Sequence, residues 1–179
     1  MTPGHHLQRA LARFLENEGS RAVTMDQSPD PRQPLGHFDG KTFVMHTRVY
    51  FHDTDAAGIV YHGNYLNFAE RARTEMLRHL KVDPDWLWQE HRLRFVIVGA
   101  DIKYRRASVH DDVIEIRTFY RDTTAARMVL DQVMLVDGEV CTSLRITVSQ
   151  IRENGRPSRL PQQALDAMAP YLQPEQPDE

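Results

Sequence analysis

At 179 residues and 20.8 kDa, the chain has room for one ordinary domain and not comfortably for two. Its 41% hydrophobic content can build a core, and 22 basic against 25 acidic residues (net charge -3) exclude both bulk polyanion binding and a disordered acidic chain. No apolar run reaches a membrane span, and the single cysteine, Cys141, leaves neither an internal disulfide nor a cysteine-built metal cluster, which points to a reducing, cytoplasmic setting.

Along residues 1–40, Leu7, Ala10, Leu11, Phe14 and Leu15 carry the spacing of an amphipathic helix that Gly19 would end. The run from Ser28 to Gly36 holds three prolines and reads as a flexible tether. Three roles fit this helix: docking on a partner or membrane surface, packing on its own domain, or translation that truly starts at Met25. From residue 42 the period becomes two. Phe43, Met45, Thr47, Val49 and Phe51 alternate with Val44, His46, Arg48 and Tyr50 as a strand.

A loop with Gly58 and Gly63 follows, and Asn64 is placed to cap a helix running to about Leu80. That helix buries Tyr65, Phe68, Ala69, Ala72, Met76 and Leu80, and Arg78, His79 and Lys81 sit at the negative end of its dipole. Asp83-Pro84 opens a short helix through Trp86 and Trp88. Four β-rich segments follow, near 94–104, 112–121, 125–136 and 139–150, with Asp137-Gly138 as a hairpin turn between the last two. The order is α+β: one strand, one long helix, then an antiparallel sheet that wraps it. The expected domain spans 41–165, with a flexible tail over 166–179.

Reactive groups concentrate in the loop His52-Asp53-Thr54-Asp55-Ala56-Ala57-Gly58-Ile59-Val60-Tyr61-His62-Gly63-Asn64-Tyr65. Two carboxylates, two histidines and two glycines converge on a helix N-terminus, whose unpaired N–H groups and dipole suit a developing oxyanion. A carboxylate beside that point can attack a carbonyl or activate water. No G-x-S-x-G is present, and Cys141 lies mid-strand with no histidine beside it in sequence, so a serine or cysteine nucleophile is not expected. On residue type alone, Asp55 reads more readily as a loop aspartate serving an Asx turn. A metal site on His52, Asp53, Asp55 and His62 has the donor types, yet no recognised ligand spacing.

The stretch Arg48–Tyr65, with its D-x-D-x-x-G-x-V-x-H-x-N-Y pattern, resembles the signature of the 4-hydroxybenzoyl-CoA-thioesterase-like hotdog family. Phe68-Ala69-Glu70-Arg71-Ala72-Arg73-Thr74-Glu75-Met76-Leu77-Arg78 resembles its branch associated with the bacterial Tol-Pal envelope system. The resemblance runs from about Thr42 to Pro161. It implies a hotdog fold, pairing of two subunits into a continuous sheet (or a dimer of dimers), and hydrolysis of acyl-CoA at the dimer interface. It further implies no cofactor beyond the coenzyme A of the substrate.

Position by position, the resemblance makes Asp55 the catalytic aspartate, as nucleophile or as base toward water. It makes His62 and Gly63 the helix entrance that polarises the thioester carbonyl, and Gly58 the turn glycine. Tyr61, Asn64 and Tyr65 are expected against the substrate, and Arg127 against coenzyme A. Among other arginines at strand ends, Arg105, Arg106, Arg152, Arg156 and Arg159 offer phosphate contacts. An acyl carrier protein as donor, or a non-catalytic role in an envelope complex, stays open, as does Glu70 as a helix-borne catalytic carboxylate. Neither nucleic acid nor a membrane span is expected.

Overall fold

A computed structural model describes residues 33–124 and 126–174. The helix expected from Leu7 to Leu15 and most of the tether lie outside these residues. Six antiparallel strands form one sheet in the order β1-β2-β4-β5-β6-β3: β1 His37–Asp39, β2 Thr42–Arg48, β3 Leu93–Tyr104, β4 Val113–Thr124, β5 Arg127–Val136 and β6 Glu139–Arg152. Helix α1, Asn64–His79, lies against this sheet, followed by α2, Pro84–His91, and a C-terminal α3, Gln162–Met168.

Period-two alternation builds the wall of the core. Ile114, Ile116, Thr118 and Tyr120 of β4 face inward, as do Met128, Leu130, Gln132 and Met134 of β5 and Leu144, Ile146 and Val148 of β6. Helix α1 lays Tyr65, Phe68, Ala69, Ala72, Met76 and Leu77 on that wall. Alanines 69 and 72 let the helix approach closely, while Phe68, fully buried, contributes about 1.5–3 kcal/mol by the burial of its ring. Leu80, expected on the same face, packs against this core only partly buried.

Asp137 and Gly138 both take positive φ (52° and 81°) in the tight turn their sequence signals. Asp83 caps α2 as its spacing predicts, accepting the N–H groups of Asp85 and Trp86 at 2.9 and 3.0 Å.

Three expectations are corrected. The first strand stops at Arg48: the Asp53 carboxylate accepts the Tyr50 N–H at 2.8 Å and winds Phe51–Asp53 into a 3-10 turn. The sheet begins at His37, ahead of the domain start expected at 41, because Phe38 stacks edge-on against Phe43 (5.3 Å). And 166–174 is not a flexible tail: Ala164 and Met168 of α3 are buried, and Tyr171 packs on Phe38 at 3.9 Å. Leu172 then bridges to Tyr120, Gln173 N–H donates to Tyr120 O at 2.8 Å, and Lys41 and Arg121 donate to the carbonyls of Leu172 and Gln173.

Candidate active site

The loop between β2 and α1 folds back on itself. Thr54 bridges Val60, Asp55 N–H donates to Ile59 O, and Tyr61 N–H donates to Asp53 O, each of these two bonds at 2.9 Å. Asp55 heads the tip, where Gly58 N–H closes onto Asp55 O at 2.9 Å with Gly58 at φ 75°, a conformation that favours glycine. The Asx turn does form: Asp55 Oδ1 accepts the Ala57 N–H at 2.8 Å. That bond occupies one oxygen, and no described residue bonds the other. The carboxylate is exposed and held in orientation.

Asp53 has a different task. It is 3% exposed, accepts the Tyr50 N–H, and sits 3.3 Å from His52 Nε2. Its backbone oxygen also accepts Asn64 Nδ2–H at 2.9 Å, which ties the loop to the first residue of α1. Asn64 is therefore a strap rather than the cap: Gly63 occupies the cap position and offers no side-chain bond. Among the described residues, the backbone N–H groups of His62 and Gly63 donate to no backbone acceptor. Both stand at the positive end of α1. A Cβ on Gly63 would lie 2.8 Å from Tyr61 Cε1, so glycine lets the Tyr61 ring fold over the helix entrance and against His62 (4.3 Å).

A cavity of about 270 Å³ opens here, lined by Ile59, His62, Tyr65, Tyr104, Arg105 and Arg106 among others. Tyr65 forms its floor: the ring is buried, and the hydroxyl accepts Ser108 N–H at 3.1 Å. Tyr104, which the sequence did not single out, donates its hydroxyl to His62 O at 3.0 Å and fixes the helix entrance from the end of β3. Its place beside the helix entrance follows from the register Tyr104↔Thr142, which no local pattern specifies.

Arg105 and Arg106 are held there by backbone bonds to Cys141 O. Arg127 is not with them. It pairs with Thr124 at the far end of β4, whose near end, Val113, pairs with Arg48 beside the loop. The intervening strand spans about 35 Å. Arg152 lies toward that far end too, on the β6 residue paired with Leu93. No group of three or more His, Cys, Asp or Glu side chains among the described residues is arranged to hold a metal ion.

Residues 49–168 match the family model of the thioesterase-like superfamily. The chain belongs to that superfamily. Its architecture is the hotdog fold, an antiparallel sheet wrapped on one long helix. A solved Bartonella henselae structure described as a probable thioesterase superposes with a TM-score of 0.65 at 32% identity, covering 67% of this chain and 99% of that one. Acyl-CoA thioesterase YbgC of Haemophilus influenzae is 41% identical over 90 residues, 50% of this chain and 66% of the relative. Acyl-CoA thioester hydrolase YbgC of Escherichia coli O6:H1 is 42% identical over 85 residues, 48% of this chain and 63% of the relative. The matched stretch thus spans just under two thirds of these curated relatives. No helix among the described residues is long and apolar enough to cross a membrane.

Proposed function

We propose that this protein hydrolyses acyl-CoA thioesters to a carboxylic acid and free coenzyme A. The observation that carries the reading is the pairing of an oriented, exposed Asp55 carboxylate with the unpartnered N–H groups of His62 and Gly63 on one folded loop. The 41–42% identity to proteins named acyl-CoA thioesterase and acyl-CoA thioester hydrolase supports the substrate class.

Asp55 delivers the attack on the thioester carbonyl, either directly or by taking a proton from water. The developing oxyanion settles on the helix N-terminus, where fixed dipoles need no reorganisation. The tetrahedral intermediate collapses, the C–S bond breaks, and the coenzyme A thiolate leaves and takes up a proton. In the direct route, water then opens the Asp55 anhydride. No metal or redox cofactor enters this scheme. Arg105 and Arg106 at the cavity rim suit the phosphates of coenzyme A, with Gly58, Tyr61 and Asn64 shaping the loop around the thioester.

Pairing through β3 completes the proposal. It is a twelve-residue edge strand with Ile97 and Val98 exposed beside a bulge, an edge suited to a second copy of itself in a dimer or dimer of dimers. Arg127, remote from its own loop, contributes only if a partner subunit presents it. Association with an envelope system belongs to the same reading, on the resemblance of Phe68–Arg78 to the Tol-Pal-associated branch. Thiol release measured over acyl-CoA thioesters of graded length tests the activity. Turnover of at least part of the series is expected. Tight binding of every acyl-CoA with no thiol release would instead favour the non-catalytic binder, and release only from acyl-carrier-protein thioesters would move the donor.

A further inference from the structure

A cavity of about 430 Å³ lies between α1, α2 and strands β3, β5 and β6. Its walls are mostly apolar, with Phe95, Met128, Leu130 and Val148 among them. One wall residue is out of keeping. Arg73 is 9% exposed, and its single hydrogen bond among the described residues runs from Nη1 to Gln132 Oε1 at 2.6 Å.

Gln132 is fully committed in turn, since its Nε2 donates to Ala69 O and Thr118 Oγ1, both at 3.0 Å. The network anchors the guanidinium without neutralising it. Glu70, the carboxylate whose charge acts on Arg73, is exposed and accepts the Thr74 hydroxyl hydrogen. Burial pulls the guanidinium below its ordinary value and Glu70 pushes it back, yet an arginine keeps its proton. A buried cation with most of its fork of donors free is costly unless an anion or strong acceptor meets it.

Leu66, Glu70, Arg73 and Leu77 follow one stripe down α1, from the helix entrance into this cavity. Arg73 stands nine residues, about 13 Å, beyond Asn64. Arg94, which stacks over the Trp88 ring at 4.1 Å, lines the cavity together with the acidic Glu70 and Asp85, so the cavity's exposed charges carry no clear excess of either sign. The selective charge is the buried one.

We infer that this cavity binds the acyl portion of a thioester whose far end carries a carboxylate, with Arg73 as the specificity-determining residue. The inference rests on the thioesterase reading above. A planar guanidinium meets a carboxylate with two parallel hydrogen bonds, while the apolar walls take the carbon skeleton between.

Acyl-CoA thioesters of six, eight and ten carbons, each with and without a terminal carboxylate, test it. The carboxylate-bearing member of at least one pair is expected to show kcat/KM ten-fold or more above its plain counterpart. Arg73→Met should erase that ratio, and Arg73→Lys should retain part of it. Equal or inverted ratios in the wild-type protein would overturn the inference even if Arg73→Met fails to fold. So would an Arg73→Met loss equal for both members of each pair.

Titration of the free acids against Trp88 fluorescence reads the same site without turnover. Octanedioate should bind at least ten-fold more tightly than octanoate, and equal affinity would count against the inference. If neither kind of thioester releases thiol yet octanedioate binds with that preference, the hydrolase reading fails and the cavity assignment stands.

Discussion

Asp53 is enclosed and braces the loop, with its carboxylate on Tyr50 N–H and His52 and its carbonyl on Tyr61 and Asn64, whereas Asp55, two residues on, is exposed with one oxygen unbonded. Residue type and spacing marked both as candidates. An unbroken strand would have put them on one face. The 3-10 turn at Phe51–Asp53 separates them, and that turn depends on a single side-chain acceptor that period-two alternation cannot reveal. Asp53→Ala is expected to destabilise the fold by about 1–3 kcal/mol, because it removes a buried carboxylate and strips the part-buried Tyr50 N–H of its acceptor. Asp55→Ala should stay within about 0.5 kcal/mol, as for an exposed site. Thermal unfolding of the two variants side by side checks the division of labour; equal losses would refute it. Tyr104 and Arg73 were not legible as site residues: one is placed by cross-strand register, the other looks in sequence like half of an ordinary i, i+3 pair with Glu70.

At the scale of elements, α1, α2 and the β-rich run from 93 to 152 were legible because their periodicity, caps and hairpin turn agree with one another. Strand β1, with three residues, and α3, with seven, were not. Each is too short to show a period, and both are held by long-range contacts: Phe38 on Phe43 and Tyr171, and Leu172 on Tyr120. The three central strands are further tied by Asp131 of β5, which accepts from Arg121 of β4 and from Arg145 of β6.

Burial alone would raise the Asp131 carboxyl, but its hydrogen bonds with Arg145 and Arg121 hold it below the ordinary carboxylate value. With the folded value depressed, the stabilisation is full above the unfolded value, about 3.9, and disappears as pH falls through the folded value. Melting temperatures of wild type and Asp131→Asn should therefore differ most near neutrality and converge as the pH drops below about 4. A gap that persists at low pH would mean the carboxylate's charge is not what ties the strands.

At the scale of the molecule, one end of the sheet carries the loop, the end of β3 and an exposed group that includes Phe51, Tyr61, Tyr104 and Val109. A second exposed apolar stretch, Ile97 and Val98, marks the middle of the β3 edge. The proposed self-pairing along β3 would cover the second. Ile97→Lys is expected to shift the protein toward monomer in sedimentation velocity and to lower thiol release with it. Unchanged sedimentation and activity would place the interface elsewhere.

The central claim is that Asp55 performs the chemistry. Thiol release by Asp55→Asn, measured beside wild type on the best substrate of the acyl-CoA series, tests it most directly. A fall of about 10²–10⁴-fold at unchanged melting temperature is the predicted result. Hydrolysis at the wild-type rate by the folded variant would contradict it.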